Sequence, residues 1–326
     1  MSTSPTSNDI HARTVNSYVA IPVEQRDPNA CAATVWIRDA ELVRLTAAAD
    51  RHVKLAYLFS SQCIVPDAWR YTVTARDGKM VAQKRLRSTR TDLLPNSNYV
   101  DVHARSAVGQ PIILLLLESP GDKEFEPVPD GSALLVKGPA QGKGPGKTGG
   151  AIKKYVLEAL NEAMLGLPDG EYALVIANPI PYHCNLKLLA SLTPQLANPD
   201  DNTMTADSPR VTGKTLNGVR DYVWQTLWRV SFVVQDFLER CTQYAPVAII
   251  NCCTGALQAH VSAALIPTFS EVLFEGPHPS TQWNIKYGRR KPAKTGSGTQ
   301  AGAASPRRRV TPPAAFAKVE TPSTTR

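Results

Sequence analysis

The sequence predicts an α/β fold: a three-layer α/β/α arrangement around a central four-stranded parallel sheet, with an N-terminal helix and hairpin extension. Three observations predict it. Four short runs, 112–117, 172–177, 247–252 and 272–274, are almost continuously apolar, as strands buried on both faces are. Helical stretches separate them at 152–165, 219–241 and 255–265. Regular alternation of strand and helix calls for parallel pairing through right-handed crossovers, with helices on both faces.

In chain order, residues 1–30 read as a loose, flexible arm. Between 36 and 60, Leu42, Leu45, Ala48, Val53, Ala56 and Leu58 recur at near-helical spacing and predict one or two helices. Two β-prone runs, Trp69-RYTVTA and Lys79-MVAQKRL, then flank Asp77-Gly78. Both turn residues tolerate positive φ, so the stretch predicts a hairpin, with Lys84, Arg85, Arg87 and Arg90 making its second strand and exit basic. The expected divisions are an arm (1–30), a helical and hairpin extension (31–108), an α/β core (109–285) and a basic disordered tail (286–326).

The chain has 326 residues, of which 43% are hydrophobic, enough for a large core. Its longest apolar run is 111–117, far short of the ~20 residues that cross a bilayer, so no membrane partner is expected. The first residues lack the apolar stretch of a secretory signal. Six cysteines, at 31, 63, 184, 241, 252 and 253, form no C-x-x-C pair. Reduced thiols in a cytoplasm are the expectation, with no metal, no cofactor and no obligate protein partner. The net charge of +8 is uneven, because ten Lys and Arg residues against Glu320 alone lie from Ile285 onward. A basic segment rich in Pro, Thr, Gly and Ala beside a balanced body suggests a polyanion partner, nucleic acid above all, or else a solubilising tail.

In a parallel sheet, the loops leaving the carboxyl ends of the strands form the ligand crevice. That rule selects Glu118-SPGDKEF, Asn178-PIPYHCNL, Cys253-TGA and Gly276-PHPSTQWN. The segment KGPAQGKGPGKTGGAIKKY, starting at Lys137, adds a glycine-rich loop ahead of the first long helix. A phosphate-binding P-loop needs G-x-x-x-x-G-K-[ST], and counting back from Gly146 the first glycine is replaced by Gln141. A P-loop-like nucleotide hydrolase using Lys147 is one reading of the loop; a basic connector between strand and helix is the plainer one.

Three of the strand-end motifs are Leu117-Glu118-Ser119-Pro120-Gly121, Ala177-Asn178-Pro179 and His278-Pro279-Ser280. Together and in this order they resemble the uracil-DNA glycosylase superfamily, whose strands end in a motif close to G-E-A-P-G, an Asn-bearing loop and H-P-S. The nearest pattern is the branch with a catalytic glutamate in the first motif, whose glycine-rich segment corresponds to Gly142-KGPGKTGG. The resemblance covers about 109–285. Leu117 departs from the leading glycine, and the close cysteine pair that helps hold that branch's iron–sulfur cluster is missing. Where uracil-specific members stack an aromatic ring on the flipped base, this chain has Pro145 or Gly146. Losing a platform of ~1–3 kcal/mol leaves room for a larger base.

The resemblance implies a DNA glycosylase that extrudes a nucleotide and hydrolyses its N-glycosidic bond. Glu118 would orient water and offset the oxocarbenium charge, unless it merely caps a loop or pairs with a lysine. His278 would hydrogen-bond the oxygen gaining charge on the departing base. Asn178 would read a pyrimidine edge or, alternatively, close an Asx-turn before Pro179. Ser119, Pro120, Gly121, Pro145, Tyr182 and Ser280 are the further expected pocket residues. Lys143, Lys147, Arg289 and Arg290 would contact phosphates, and Gln282 or Trp283 would wedge into the gap left by the base, with packing against the body as Trp283's other role. The expected substrate is a modified or bulky pyrimidine, such as hypermodified cytosine in phage DNA in an antiviral role. The alternatives are uracil excision in base-excision repair and non-catalytic nucleic-acid binding.

Overall fold

A computed structural model describes residues 18–23, 33–38, 58–85, 109–127, 134–144, 146–184, 213–288 and 316–319. Strands β1 (Tyr18–Val23) and β2 (Ala33–Arg38) pair antiparallel, with Val19 opposite Ile37 and Ile21 opposite Val35. This corrects two expectations, because β1 lies in the predicted arm and β2 reaches into the predicted helical stretch. Facing β-branched residues favour a pleated backbone over a helix. Positions 39–57, where most of that helical pattern falls, lie outside the described residues.

The main sheet has seven strands of mixed direction, larger than the four predicted. In chain order these are β3 (Ala68–Arg76), β4 (Lys79–Arg85), β5 (Ile112–Leu116), β8 (Gly170–Ala177), β9 (Ala248–Asn251), β10 (Leu273–Glu275) and β11 (Ala317–Lys318). A small antiparallel pair, β6 (Phe125–Pro127) and β7 (Leu134–Val136), stands apart. Across the sheet the order is β11-β10-β9-β5-β8-β3-β4. The pairs β10–β9, β9–β5 and β5–β8 are parallel, while β8–β3, β3–β4 and β10–β11 are antiparallel.

The β3–β4 hairpin turns at Asp77 (φ 51°) and Gly78 (φ 69°), the positive-φ pair that a two-residue turn demands. It does not belong to a separate extension, since β3 extends the main sheet through β8. At the opposite edge β11 corrects the prediction that everything after 285 is disordered. There the ring of Phe316 packs so closely on Gly276 that a Cβ at Gly276 would stand 2.0 Å from Phe316 Cε1.

All five residues of β5 are buried, and alternation along the strand sends them to two cores. Ile112, Leu114 and Leu116 join a cluster with residues of α2 (Gly213–Trp228), α3 (Ser231–Tyr244) and α4 (Gly255–Phe269). Ile113, Leu115 and Leu117 join another with residues of α1 (Thr148–Glu162) and α5 (Thr281–Gly288). The predicted single helix over 219–241 is two helices, broken where Val230 adopts an extended ψ of 114°. Breaking there lets Trp224 and Leu227 of α2 and Phe237 and Cys241 of α3 reach the same core.

Inside that region lies a buried charge cluster. Arg240 is 1% exposed and donates from Nη1 to both Asp67 oxygens at 2.8 and 3.0 Å, and from Nε to Asp236 at 3.0 Å. Its Nη2 donates to the Asn178 carbonyl at 3.1 Å, and Tyr244 donates its hydroxyl to Asp67 at 2.8 Å. One side chain of α3 thus ties the start of β3 to the loop leaving β8. Removing one member of a buried pair typically costs about 3–5 kcal/mol, because the other charge stays buried. Arg240→Met is expected to lower unfolding stability by that amount in a urea titration, read as an earlier midpoint, whereas the exposed Arg229→Met stays within about 0.5 kcal/mol of the parent.

Candidate active site

Strand register sets the site. Leu116 pairs with Ala177 on one side and Asn251 on the other, and Asn251 pairs with Glu275. The ladder runs one residue further, with Leu117 N–H donating to Ala177, Cys252 N–H to Leu116 and Gly276 N–H to Asn251 at 2.9–3.0 Å. Four chain segments therefore leave the sheet in one row, carrying Asn178, Glu118, Thr254 and His278 just beyond it.

Glu118 is 5% exposed. Thr254 Oγ1 donates to its Oε2 at 2.8 Å, and Arg220 Nη2 of α2 lies 3.3 Å from its Oε1. Oε1 accepts no hydrogen bond among the described residues. The Glu118 carbonyl accepts from Trp224 Nε1 at 3.0 Å, and the preceding carbonyl of Leu117 accepts from Cys253 Sγ at 2.9 Å, so the backbone here is held from both sides. Burial pushes the Glu118 carboxyl above its ordinary range, opposed by the Arg220 charge and the Thr254 hydrogen bond.

His278 has the opposite perturbation. Desolvation, followed by the Arg220 charge, lowers it from 6.5 to about 4. Its Nδ1 lies 3.0 Å from Ser280 Oγ and accepts the Ser280 backbone N–H at 3.3 Å. A backbone N–H can only donate, so Nδ1 carries the lone pair and the neutral ring keeps its proton on Nε2. Arg220 thus acts on both Glu118 and His278, which puts the carboxylate and the imidazole in one electrostatic neighbourhood. Arg220 is fixed in turn by Asp221, whose Oδ1 accepts from Nε and Nη2 at 2.9 and 2.6 Å.

The other predicted site residues divide. Asn178 is 2% exposed, with its carbonyl held by Arg240 and its Oδ1 accepting no hydrogen bond among the described residues. Ser119 is half-buried beside Cys184; the Pro120 carbonyl accepts from His183 Nδ1 at 2.9 Å; and Gly121 N–H donates to Glu124. Lys143, Lys147 and Gln282 are exposed. Two expectations are corrected. Tyr182 packs in the core edge-on to Phe59 instead of lining a pocket. Trp283 is 1% exposed and donates Nε1–H to Pro277 at 2.7 Å, so it packs within the body and does not wedge into DNA. Pro145, Arg289 and Arg290 lie outside the described residues.

Sequence reasoning missed Arg220 and Glu124. Burial pushes the Glu124 carboxyl up to about 7, against amide hydrogen bonds from Gly121, Gln141 and Ala140. It joins the Glu118 loop to the glycine-rich loop. That second loop turns carbonyls, not amides, toward α1. Gly150 N–H donates to Gly142 O at 2.7 Å, and Cβ atoms on Gly149 and Gly150 would collide with the carbonyls of Ala140 (2.0 Å) and Gly144 (2.7 Å). The glycines serve close loop-to-helix packing, and among the described residues the loop forms no ring of amides for a nucleotide's phosphates.

Among the described residues, no group of three or more His, Cys, Asp or Glu side chains could hold a metal, and no helix is long and apolar enough to cross a membrane. Comparison of the chain with known protein families, curated proteins and solved structures finds no match.

Because the folded pKa of His278 lies below its ordinary value, the unfolded chain binds more protons between about pH 4 and 6.5. The stability linked to His278 is therefore complete above that window and is lost as the pH falls through it. Glu124, raised to about 7, works in the opposite sense, so the comparison needs a variant. The expected outcome is that the parent loses stability relative to His278→Gln as pH drops from 6.5 to 4, while the His278 ring titrates near 4 by NMR. Equal pH dependence of the two proteins refutes the assignment.

Proposed function

We propose that this protein is a DNA glycosylase that hydrolyses the N-glycosidic bond of an extruded nucleotide. The observation that carries the reading is that Glu118 and His278 both follow the same row of paired strand ends, with the Arg220 charge acting on each. The reaction builds positive charge on the sugar and negative charge on the leaving base. Glu118, whose Oε1 is ion-paired with Arg220 at 3.3 Å but accepts no hydrogen bond among the described residues, and whose affinity for protons is raised, suits orienting a water. His278, neutral with its proton on Nε2, suits donating to the base oxygen as charge gathers there. Asn178 Oδ1 is an acceptor for the base edge. The mixed seven-stranded sheet with its helices is an α/β fold, the class that the motif resemblance implies.

On this reading the substrate is a pyrimidine larger than uracil, because the aromatic residue that stacks on uracil is absent from the glycine-rich segment. Hypermodified cytosine in phage DNA, removed in antiviral defence, is the candidate. The test incubates the protein with duplexes containing uracil, hydroxymethylcytosine or glucosylated hydroxymethylcytosine, and reads abasic sites by alkali cleavage. Cleavage is expected for the glucosylated base, with Glu118→Gln slowing it about 10²–10⁴-fold, as loss of a positioned acid–base group does. Cleavage of uracil alone replaces the substrate assignment with repair. No cleavage of any duplex removes the reading.

A further inference from the structure

The apolar strand β9 ends on a polar residue. Asn251 is fully buried behind Ala248, Ile249 and Ile250, and a buried amide costs free energy unless it is bonded. Its Nδ2 donates to the Gln258 carbonyl and to Ser262 Oγ, both at 2.9 Å, and its Oδ1 accepts from Cys253 N–H at 3.2 Å. Gln258 returns the bond. Its Nε2 donates to the Asn251 carbonyl at 2.7 Å and to the Gly276 carbonyl at 2.9 Å. One side chain of α4 therefore fastens the end of β9 to the loop that carries His278.

At the start of the same helix, Thr254 is the N-cap of α4. A threonine there ordinarily turns its hydroxyl back to a free amide of the first turn. Here no such bond forms, and the hydroxyl donates instead to Glu118 Oε2 at 2.8 Å. The Thr254 carbonyl accepts from Leu257 N–H at 3.1 Å, so the first turn closes directly on the cap. One turn of α4 thus grips the carboxylate at its beginning and the imidazole-bearing loop at its end. That loop has a second anchor, where Trp283 Nε1 donates to the Pro277 carbonyl at 2.7 Å. The backbone leading into His278 is held at two successive carbonyls.

We propose that Gln258 is a positioning residue of the site, which sets the separation of Glu118 and His278 through the first turn of α4. The assignment rests on the glycosylase reading for the reaction that this spacing serves. A neutral amide suits the task, because its two N–H groups meet two carbonyls and bring no charge to a carboxylate and an imidazole. Hydrolysis that runs between a positioned water and a departing base loses rate steeply when either partner shifts.

The test follows the His278 ring titration by NMR, and the kinetics of the full chain on a duplex containing glucosylated hydroxymethylcytosine. Gln258→Met keeps the length of the side chain and removes both donors. Burial is the main cause of the low His278 value, so a loosened turn is expected to raise the titration from about 4 by about one pH unit. The kcat is expected to fall about tenfold to a hundredfold while KM changes less than about threefold, as misplacement of a catalytic group does. Gln258→Asn, whose amide falls one methylene short, is expected to move both readings the same way and serves if Gln258→Met does not fold. Gln83→Met is the control, because it removes an amide bond to the Lys153 carbonyl (2.7 Å) on β4, at the far edge of the sheet. It is expected to leave both readings at the parent values. An unmoved His278 titration in both Gln258 variants, or an equal change in Gln83→Met, overturns the clamp. A raised titration with unchanged kcat overturns the positioning role. If the parent cuts no duplex, the glycosylase reading falls, and the titration alone still decides whether Gln258 holds the His278 turn.

Discussion

Hydrogen bonding between parallel neighbours decides where the chain may leave the sheet, and everything proposed for this protein hangs on that decision. With Ala177, Leu116, Asn251 and Glu275 in one row, a carboxylate from β5 and an imidazole from beyond β10 reach the same edge. The strand between them, β9, delivers Thr254 to hold the carboxylate. A slip of one residue in either ladder would turn every buried side chain of that strand to the other face, so the two cores enforce the register that the site requires.

Within that frame one guanidinium has two opposite effects. Burial raises the Glu118 carboxyl above its ordinary range, and the Arg220 charge opposes the rise. The same charge, added to burial, disfavours protonation of His278. A single cation therefore favours the anionic form of one neighbour and the neutral form of the other, the combination on which the proposed hydrolysis relies. The cation itself is steadied by Asp221, so its position does not rest on Glu118 alone.

Much of this was legible in the chain. The buried strands announced themselves as unbroken apolar runs, and Asp77-Gly78 announced its turn, because each signal is local. The rule that ligands gather at strand carboxyl ends then led to Glu118 and His278. Less visible were contacts made across long separations. Arg220 sits mid-helix with nothing in its neighbours to distinguish it, and its role appears only once α2 packs over β5. The pairing of β3 with β8 was hidden for the same reason: a hairpin's sequence fixes its own two strands and is silent about a third. Trp283 shows the converse error, since an aromatic beside a functional motif can be the motif's foundation. Its indole holds Pro277 from beneath, one residue before His278.

The ring of Phe316 fills the space over Gly276, on the same short loop as Pro277 and His278. A chain shortened after Gly288, as composition alone would recommend, loses more than a polar appendage. It strips the border strand from β10, bares a row of unpaired backbone groups to other molecules, and takes away the hydrophobic wedge against which the histidine-bearing turn leans.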